Sequence, residues 1–253
     1  MSAESRKVLG RTRDVLQSRN SLLFFVMFSV PTFLFVMAVQ SRIAATETAG
    51  PLDPYLPRPF VEPSAIALDV PRLAAVLLVF VAFYIGSYVA MVVTRTYYHG
   101  YDFGEIPGEV WKDDVFLPTL KFTAASLTFI PLFAVALPLL ILPGAFIAIS
   151  FCFYAVYISV GDEGYVDSFI ESWNFSAGRR IPLMILFGAF LLVGIAIAVV
   201  GLALYIFVWG ISTVVAEFML AFGLAALLVF TLALVASAFV TMGPENVDVE
   251  PSG

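Results

Sequence analysis

The sequence predicts an all-α integral membrane protein with six transmembrane helices, arranged as three hairpins that are each preceded by a cytoplasmic amphipathic segment. Hydrophobic residues make up 61% of the 253 residues and charged residues only 13%, a composition that soluble domains do not have. Uncharged apolar stretches of about 20 residues recur, which is the length a helix needs to cross a bilayer. They are apolar on every face, whereas the strands of a membrane barrel would alternate, so helices are expected.

The chain begins with a basic segment, residues 1–20, that is predicted to be cytoplasmic and amphipathic, with Val8 and Leu9 on its apolar face. The apolar run that follows is longer than the core of a secretory signal, and "MAVQSR" offers no small-residue cleavage site. We therefore expect a retained first transmembrane helix.

The remaining elements follow from prolines and charges. Five prolines in 42–70 disfavour helix and central strand and predict an extended external loop. Residues 181–242 contain a single charge, Glu217, and two long helices fit this region better than three, because three would place Glu217 near the middle of the membrane. Residues 243–253 form an acidic tail that is expected to be disordered. Within the transmembrane domain, 21–242, helices are predicted over about 21–41, 71–94, 119–139, 144–160, 181–208 and 212–241.

The basic residues predict the orientation in the cell membrane. On the six-helix layout, ten of the thirteen Lys and Arg residues fall on the side of the N-terminus. Because cytoplasmic loops carry the excess of basic residues, both termini are expected in the cytoplasm. The net charge of −6, with ten Arg and three Lys, is typical of the acid-rich proteins of salt-adapted archaea.

A charged stretch, "GDEGYVDSFIESWNFSAGRR", separates the fourth and fifth predicted helices. As a helix from residue 165 onward, it places Tyr165, Phe169, Ile170 and Trp173 in one sector and its acidic residues opposite. This pattern predicts an amphipathic helix that lies in the membrane interface or docks beneath the bundle. The alternative is a reactive or ligand-gating loop.

The chain offers few groups for chemistry. His99, Asp102 and Glu105 could supply an imidazole and carboxylates to a divalent cation, but their spacing is not that of a known ligand set, so a solvated acidic loop is favoured and neither metal nor cofactor is expected. The lone Cys152 excludes a disulfide within one chain. No G-x-S-x-G elbow occurs, and with a single histidine a Ser/His protease is poorly supported, so the chain is not expected to be an enzyme.

Small residues recur in the last two predicted helices. Gly194, Ala198 and Gly201, and Ala221 with Ala225, would permit close approach of neighbouring helices. Helix packing is the favoured interpretation, and a pore-lining face is the alternative.

The six-helix layout, with "DSFIESWNFSAGRR" after the fourth helix and a basic residue leading into the fifth, resembles uncharacterised haloarchaeal multi-pass proteins related to the membrane domain of glycerophosphoryl diester phosphodiesterases. The resemblance implies an all-helical membrane module without that family's catalytic barrel. We expect a non-enzymatic membrane module, which is a scaffold, an accessory subunit or a lipid-environment protein. The alternative is a carrier or permease for a small apolar or lipid-like solute.

The expected partners are the lipid bilayer and another membrane protein. The basic residues form no face that suits nucleic acid, and the sequence does not indicate an oligomeric state.

Overall fold

The computed structural model describes residues 3–45, 57–101, 106–112, 115–139, 141–161 and 163–243. Every regular element within them is helical, which confirms the all-α prediction for this part of the chain. The helix Arg72–His99 ends where Gly100 adopts a φ of +71° and donates its N–H to the Thr96 carbonyl at 2.9 Å, a glycine-dependent helix terminus. The α-helices are α1 (Ala3–Gln17), α2 (Arg19–Ala44), α3 (Arg72–His99), α4 (Gly108–Lys112), α5 (Phe116–Leu139), α6 (Ile141–Phe151), α7 (Tyr154–Val160), α8 (Tyr165–Ala177), α9 (Arg180–Trp209) and α10 (Thr213–Met242).

Three helices among the described residues are long and apolar enough to cross a membrane. They are α2, α3 and α10, with 26, 28 and 30 residues. At about 1.5 Å per residue, each exceeds the roughly 30 Å of a hydrocarbon core. Length and composition thus support a membrane protein.

The region predicted as a single fourth helix contains two helices. α6 and α7 are separated at Cys152 and Phe153, which lie in a turn. The turn expected before the fourth helix centres on residue 140, which lies outside the described residues. Pro138 and Pro143, on either side of that position, lie within α5 and α6.

The chain forms two compact units. The first consists of Met1–Leu23, Ser87–Leu191 and Val229–Gly253. Its core contains three phenylalanine rings from different segments: the ring centroids of Phe153 and Phe175 lie 4.7 Å apart, and those of Phe175 and Phe239 lie 4.8 Å apart. Val8 and Leu183 belong to the same apolar cluster and are fully buried.

The basic helix α1 packs into this first unit. Besides the contact of Val8 with the core, Arg11 Nη2 donates to the Tyr98 carbonyl at 3.4 Å. Just after α1, at the start of α2, Asn20 Nδ2 donates to the Tyr101 carbonyl at 2.6 Å. Burial lowers the pKa of Arg11, but an arginine stays protonated at neutral pH. α1 is therefore held by both apolar and hydrogen-bonded contacts.

Helix α8 closes the break between α6 and α7. A helix break leaves backbone N–H and C=O groups without partners in their own helix. Ser172 Oγ accepts from the Phe153 N–H at 3.2 Å and donates to the Ser150 carbonyl at 3.0 Å, while Ser176 donates to the Ile149 carbonyl at 3.0 Å. The serine side of α8 is thus the side that faces protein.

The second unit consists of Phe24–Gly86 and Leu192–Leu228. The rings of Phe33 and Phe218 stack with centroids 4.7 Å apart. Fully buried alanines such as Ala38 and Ala75 allow close approach of neighbouring segments. The loop that precedes α3 belongs to this unit, and its described part includes a short 3₁₀ turn, Arg58–Phe60.

Candidate functional site

A fully buried carboxyl group lies in the second unit. Glu217 is the fifth residue of α10 and has no exposed surface. The protein itself therefore removes this carboxyl group from water. An ionisable group that is buried within a membrane domain is a candidate functional site.

Three donors surround this carboxyl group. The Tyr205 hydroxyl donates to Glu217 Oε1 at 3.1 Å, and the Ser64 hydroxyl and Trp209 indole lie within interaction range of the same carboxyl. However, Glu217 Oε2, Ser64 Oγ and Trp209 Nε1 each lack a hydrogen bond of ordinary geometry with any described residue. The donors therefore lie close to the carboxyl group, but only part of its hydrogen-bonding capacity is used.

The end of α2 holds the loop that covers this carboxyl group. Gln40 Nε2 donates to the Pro59 carbonyl at 3.4 Å, and its Oε1 accepts from the Ser64 N–H at 3.0 Å. Ser41 Oγ accepts from the Leu68 N–H at 2.8 Å. These bonds fix Ser64 beside Glu217, so the site depends on the folded loop as well as on the helices. We call Glu217, Tyr205, Trp209, Ser64 and Gln40 the Glu217 cluster.

One oxygen of the Glu217 carboxyl group is available for hydrogen bonding. Glu217 forms no ion pair with any described residue, and one of its oxygens retains unused acceptor capacity. A carboxyl group in this state can exchange a proton or accept a hydrogen-bond donor or a cation.

The residues proposed for a weak metal site are only partly described. His99 is exposed at the end of α3, with its ring 5.0 Å from that of Tyr98 and 5.3 Å from that of Tyr101. Asp102 and Glu105 lie outside the described residues. Within the part that is described, no three His, Cys, Asp or Glu residues come together in a way that could hold a metal ion.

The predicted interfacial sector divides in two. Tyr165 donates to or accepts from Thr128 Oγ1 at 2.7 Å, and the Phe169 ring stacks on that of Tyr154 at 5.3 Å. Ile170 and Trp173, in contrast, are 51% and 38% exposed. Trp173 also contacts protein, since its ring centroid lies 5.6 Å from that of Phe146. The predicted placement of the sector, in the membrane interface or beneath the bundle, stays a prediction.

The small residues also occupy different environments. Ala221 and Ala225 are fully buried. Ala198 and Gly201 are exposed, Gly194 is half-buried, and a side chain built at either glycine would meet nothing within 4 Å among the described atoms. Their role in packing against another helix stays a prediction.

Two functional features were missed from the sequence. Glu217 was placed near a helix end, and its complete burial depends on Ser64 and Gln40, which are far away along the chain. The serines of α8, Ser168, Ser172 and Ser176, recur every four residues. This spacing could have identified a polar face that contacts other helices. The more pronounced apolar sector of the same helix determined the interpretation instead.

Comparison of the chain with protein-family models, curated proteins and solved structures found no match.

Proposed function

We propose that this chain is a multi-pass integral membrane module without catalytic activity of its own, acting as a scaffold, an accessory subunit or a lipid-environment protein. The observation that supports it is the use of polar side chains to hold helices: Ser172 and Ser176 bond to the backbone of the α6–α7 break, and Ser126 bonds to Tyr154 at 2.8 Å. The resemblance to haloarchaeal multi-pass proteins belongs to the same proposal.

Crosslinking and co-purification from native membranes test this function. A recurrent membrane partner whose activity or abundance falls when this chain is deleted would support it. Purified chain that turns over phosphodiester or peptide substrates, with loss of turnover after His99→Ala or Asp102→Ala, would contradict it.

The proposal includes six crossings of the cell membrane with both termini in the cytoplasm. It is supported by α2, α3 and α10 as spans, by the 30-residue length of α9 and by the distribution of basic residues. Single cysteines at Ala65 and Ser252, in a Cys152→Ala background, test it with an impermeant thiol reagent on intact cells. Ala65 is chosen because it is exposed, whereas the adjacent Ser64 is buried. Labelling at Ala65 alone is expected; labelling at Ser252 would rule out a cytoplasmic C-terminus.

A second candidate function, a carrier for a small apolar or lipid-like solute, is favoured by the Glu217 cluster. Proton- and ion-coupled carriers keep ionisable groups within the membrane domain. Glu217 supplies such a group, with one carboxyl oxygen unbonded.

Flux through proteoliposomes tests the carrier. The chain is reconstituted with an entrapped pH indicator, and small apolar and lipid-like solutes are added to the outside. A carrier would show solute-dependent proton movement that falls at least tenfold in Glu217→Gln. The matched control is Glu62→Gln, which alters an exposed glutamate, 3.8 Å from Arg58, in the same unit. Equal flux in wild type and Glu217→Gln, or no flux in either, would remove this candidate.

A further inference from the structure

We propose that Arg180 binds the phosphate group of an anionic membrane phospholipid where α8 meets α9. Arg180 is the first residue of α9, and its guanidinium lies against two aromatic rings. The Cζ atom is 4.2 Å from the ring centroid of Trp173 and 4.7 Å from that of Phe146. Such cation–π contacts hold the guanidinium in one place. The inference rests on the membrane location proposed above.

The guanidinium has unused hydrogen-bonding capacity. Arg180 Nε and Nη2 are enclosed and have no hydrogen-bond partner among the described residues, whereas Nη1 is not among the enclosed atoms, so a ligand would reach the guanidinium from the side of Nη1. Aromatic faces compensate the charge but accept no conventional hydrogen bond from a guanidinium. Since an arginine presents donors in a planar fork that matches phosphate, this group is suited to a phosphate ligand.

The neighbouring Arg179 shows what a satisfied arginine looks like in this segment. Its Nη1 donates to the Phe175 carbonyl at 3.2 Å, and its Cζ lies 4.8 Å from the Phe175 ring. Arg179 thus closes the end of α8 within the protein. The acidic residues of α8, Asp167 and Glu171, form no ion pair with Arg180, and no other carboxylate among the described residues does so.

The surface around Arg180 identifies a lipid rather than a soluble anion. Val166 and Ile170 on α8 are more than half exposed, and so are Ile181 and Ile185 on the first turns of α9. Apolar side chains on both sides of an unpaired cation match the border between acyl chains and headgroups. Trp173, which is 38% exposed, is of a residue type that collects at this border. Net negative lipids are favoured over zwitterionic ones because the unpaired charge attracts them.

Bromine-labelled lipids test the proposal at short range. The full chain is reconstituted into phosphatidylcholine vesicles that contain equal mole fractions of either brominated phosphatidylglycerol or brominated phosphatidylcholine in the acyl chains. Quenching of Trp173 is obtained as the difference between the wild-type chain and Trp173→Phe, which leaves Trp111 and Trp209 in place. We expect brominated phosphatidylglycerol to be preferred by roughly tenfold, the effect of a charge-assisted hydrogen bond.

Variants separate a lipid site from a general charge effect. Arg180→Gln is expected to abolish the preference, whereas Arg179→Gln, which removes the same charge one residue away, should retain it. If Arg180→Gln does not fold, Arg180→Lys replaces it and should lower the preference about threefold, because lysine lacks the planar fork. An equal response to both brominated lipids in the wild type, or an unchanged preference in the Arg180 variant that folds, would overturn the proposal.

The membrane location is measured separately, by retention in carbonate-washed membranes. Retention without a preference for phosphatidylglycerol would refute the Arg180 site alone. Loss of the chain from washed membranes would refute the membrane proposal and the lipid site together.

Discussion

The serine side of α8 and the Glu217 cluster both bury polar groups among apolar side chains. The serines are fully hydrogen-bonded, whereas the Glu217 cluster is not. Ser168, Ser172 and Ser176 are fully buried, and each side chain bonds to a backbone carbonyl. Glu217 is equally buried, but one of its oxygens and the nearby donors of Ser64 and Trp209 lack ordinary bonds with described residues.

This difference separates a polar set that holds the fold from one that is available for a ligand or a proton. Buried polar groups are normally paired, because an unpaired group costs about 1–3 kcal/mol. Ser172 and Ser176 meet that requirement with backbone groups at a helix break, and Ser168 meets it with a carbonyl of its own helix. The Glu217 cluster meets it only in part, which makes it a candidate functional site.

The largest expected effect comes from Ser172→Ala. This change leaves the Phe153 N–H and the Ser150 carbonyl at the helix break without their partner, and should lower the free energy of unfolding by about 2–3 kcal/mol. The measurement is titration with a denaturing detergent, followed by circular dichroism.

Ser168→Ala is the matched control, because Ser168 is as deeply buried on the same helix but bonds only to the Tyr165 carbonyl of its own turn. Its cost should stay below about 1 kcal/mol. Equal effects of the two variants would show that α8 does not stabilise the break, and the comparison with the Glu217 cluster would fail.

An intermediate effect is expected on the opposite face of α8. Ile170→Asp places a charge on a side chain that is 51% exposed in the protein and should reduce the folded chain in membranes, because removing an apolar side chain from an apolar environment costs about 1.5–3 kcal/mol. Ile170 is preferred to Trp173, since an aspartate at 173 would lie beside Arg180 and could pair with it. Membrane-folded protein is measured by resistance to limited proteolysis. Glu171→Gln serves as the control, and wild-type resistance of Ile170→Asp would place this face in water.

The smallest effect is expected from Tyr205→Phe, which removes the hydrogen bond that the Tyr205 hydroxyl donates to Glu217 Oε1. The loss should be about 1–2 kcal/mol of unfolding free energy, within the range for hydrogen bonds to neutral or charged groups. A double-mutant cycle with Glu217→Gln isolates the interaction. Additive effects would show that the two side chains do not interact, and would remove the central contact of the cluster.

Much of the helix order was predictable from the apolar runs and from the prolines and charged residues that separate them. Two long helices in 181–242 were expected because the region contains a single charge, Glu217, and the structure has α9 and α10 there. The division of 144–160 into α6 and α7 was not predictable. No proline or glycine lies at Cys152 and Phe153, and the break is stabilised by serines that follow some twenty residues later.

The amphipathic helix shows the same limit. Period and composition predicted a helix beginning at Tyr165, and α8 begins there. They did not predict which side faces protein, because in a membrane both lipid and protein can cover apolar side chains. Hydrogen bonds decide which side faces protein. Ser172 and Ser176 donate to carbonyls at the α6–α7 break, while Ile170 remains exposed.

The sequence by itself determined the class of the chain, because 61% hydrophobic residues in long uncharged runs can be satisfied only in an apolar environment and only by helices. Only the tertiary structure decided which polar residues stabilise the fold by hydrogen bonds and which remain available to bind a ligand or a proton. That distinction depends on partners distant along the chain, such as Ser64 for Glu217 and Ser150 for Ser172. Hydrogen bonds act over about 3 Å in space, and no local pattern of residues encodes which distant groups will come that close.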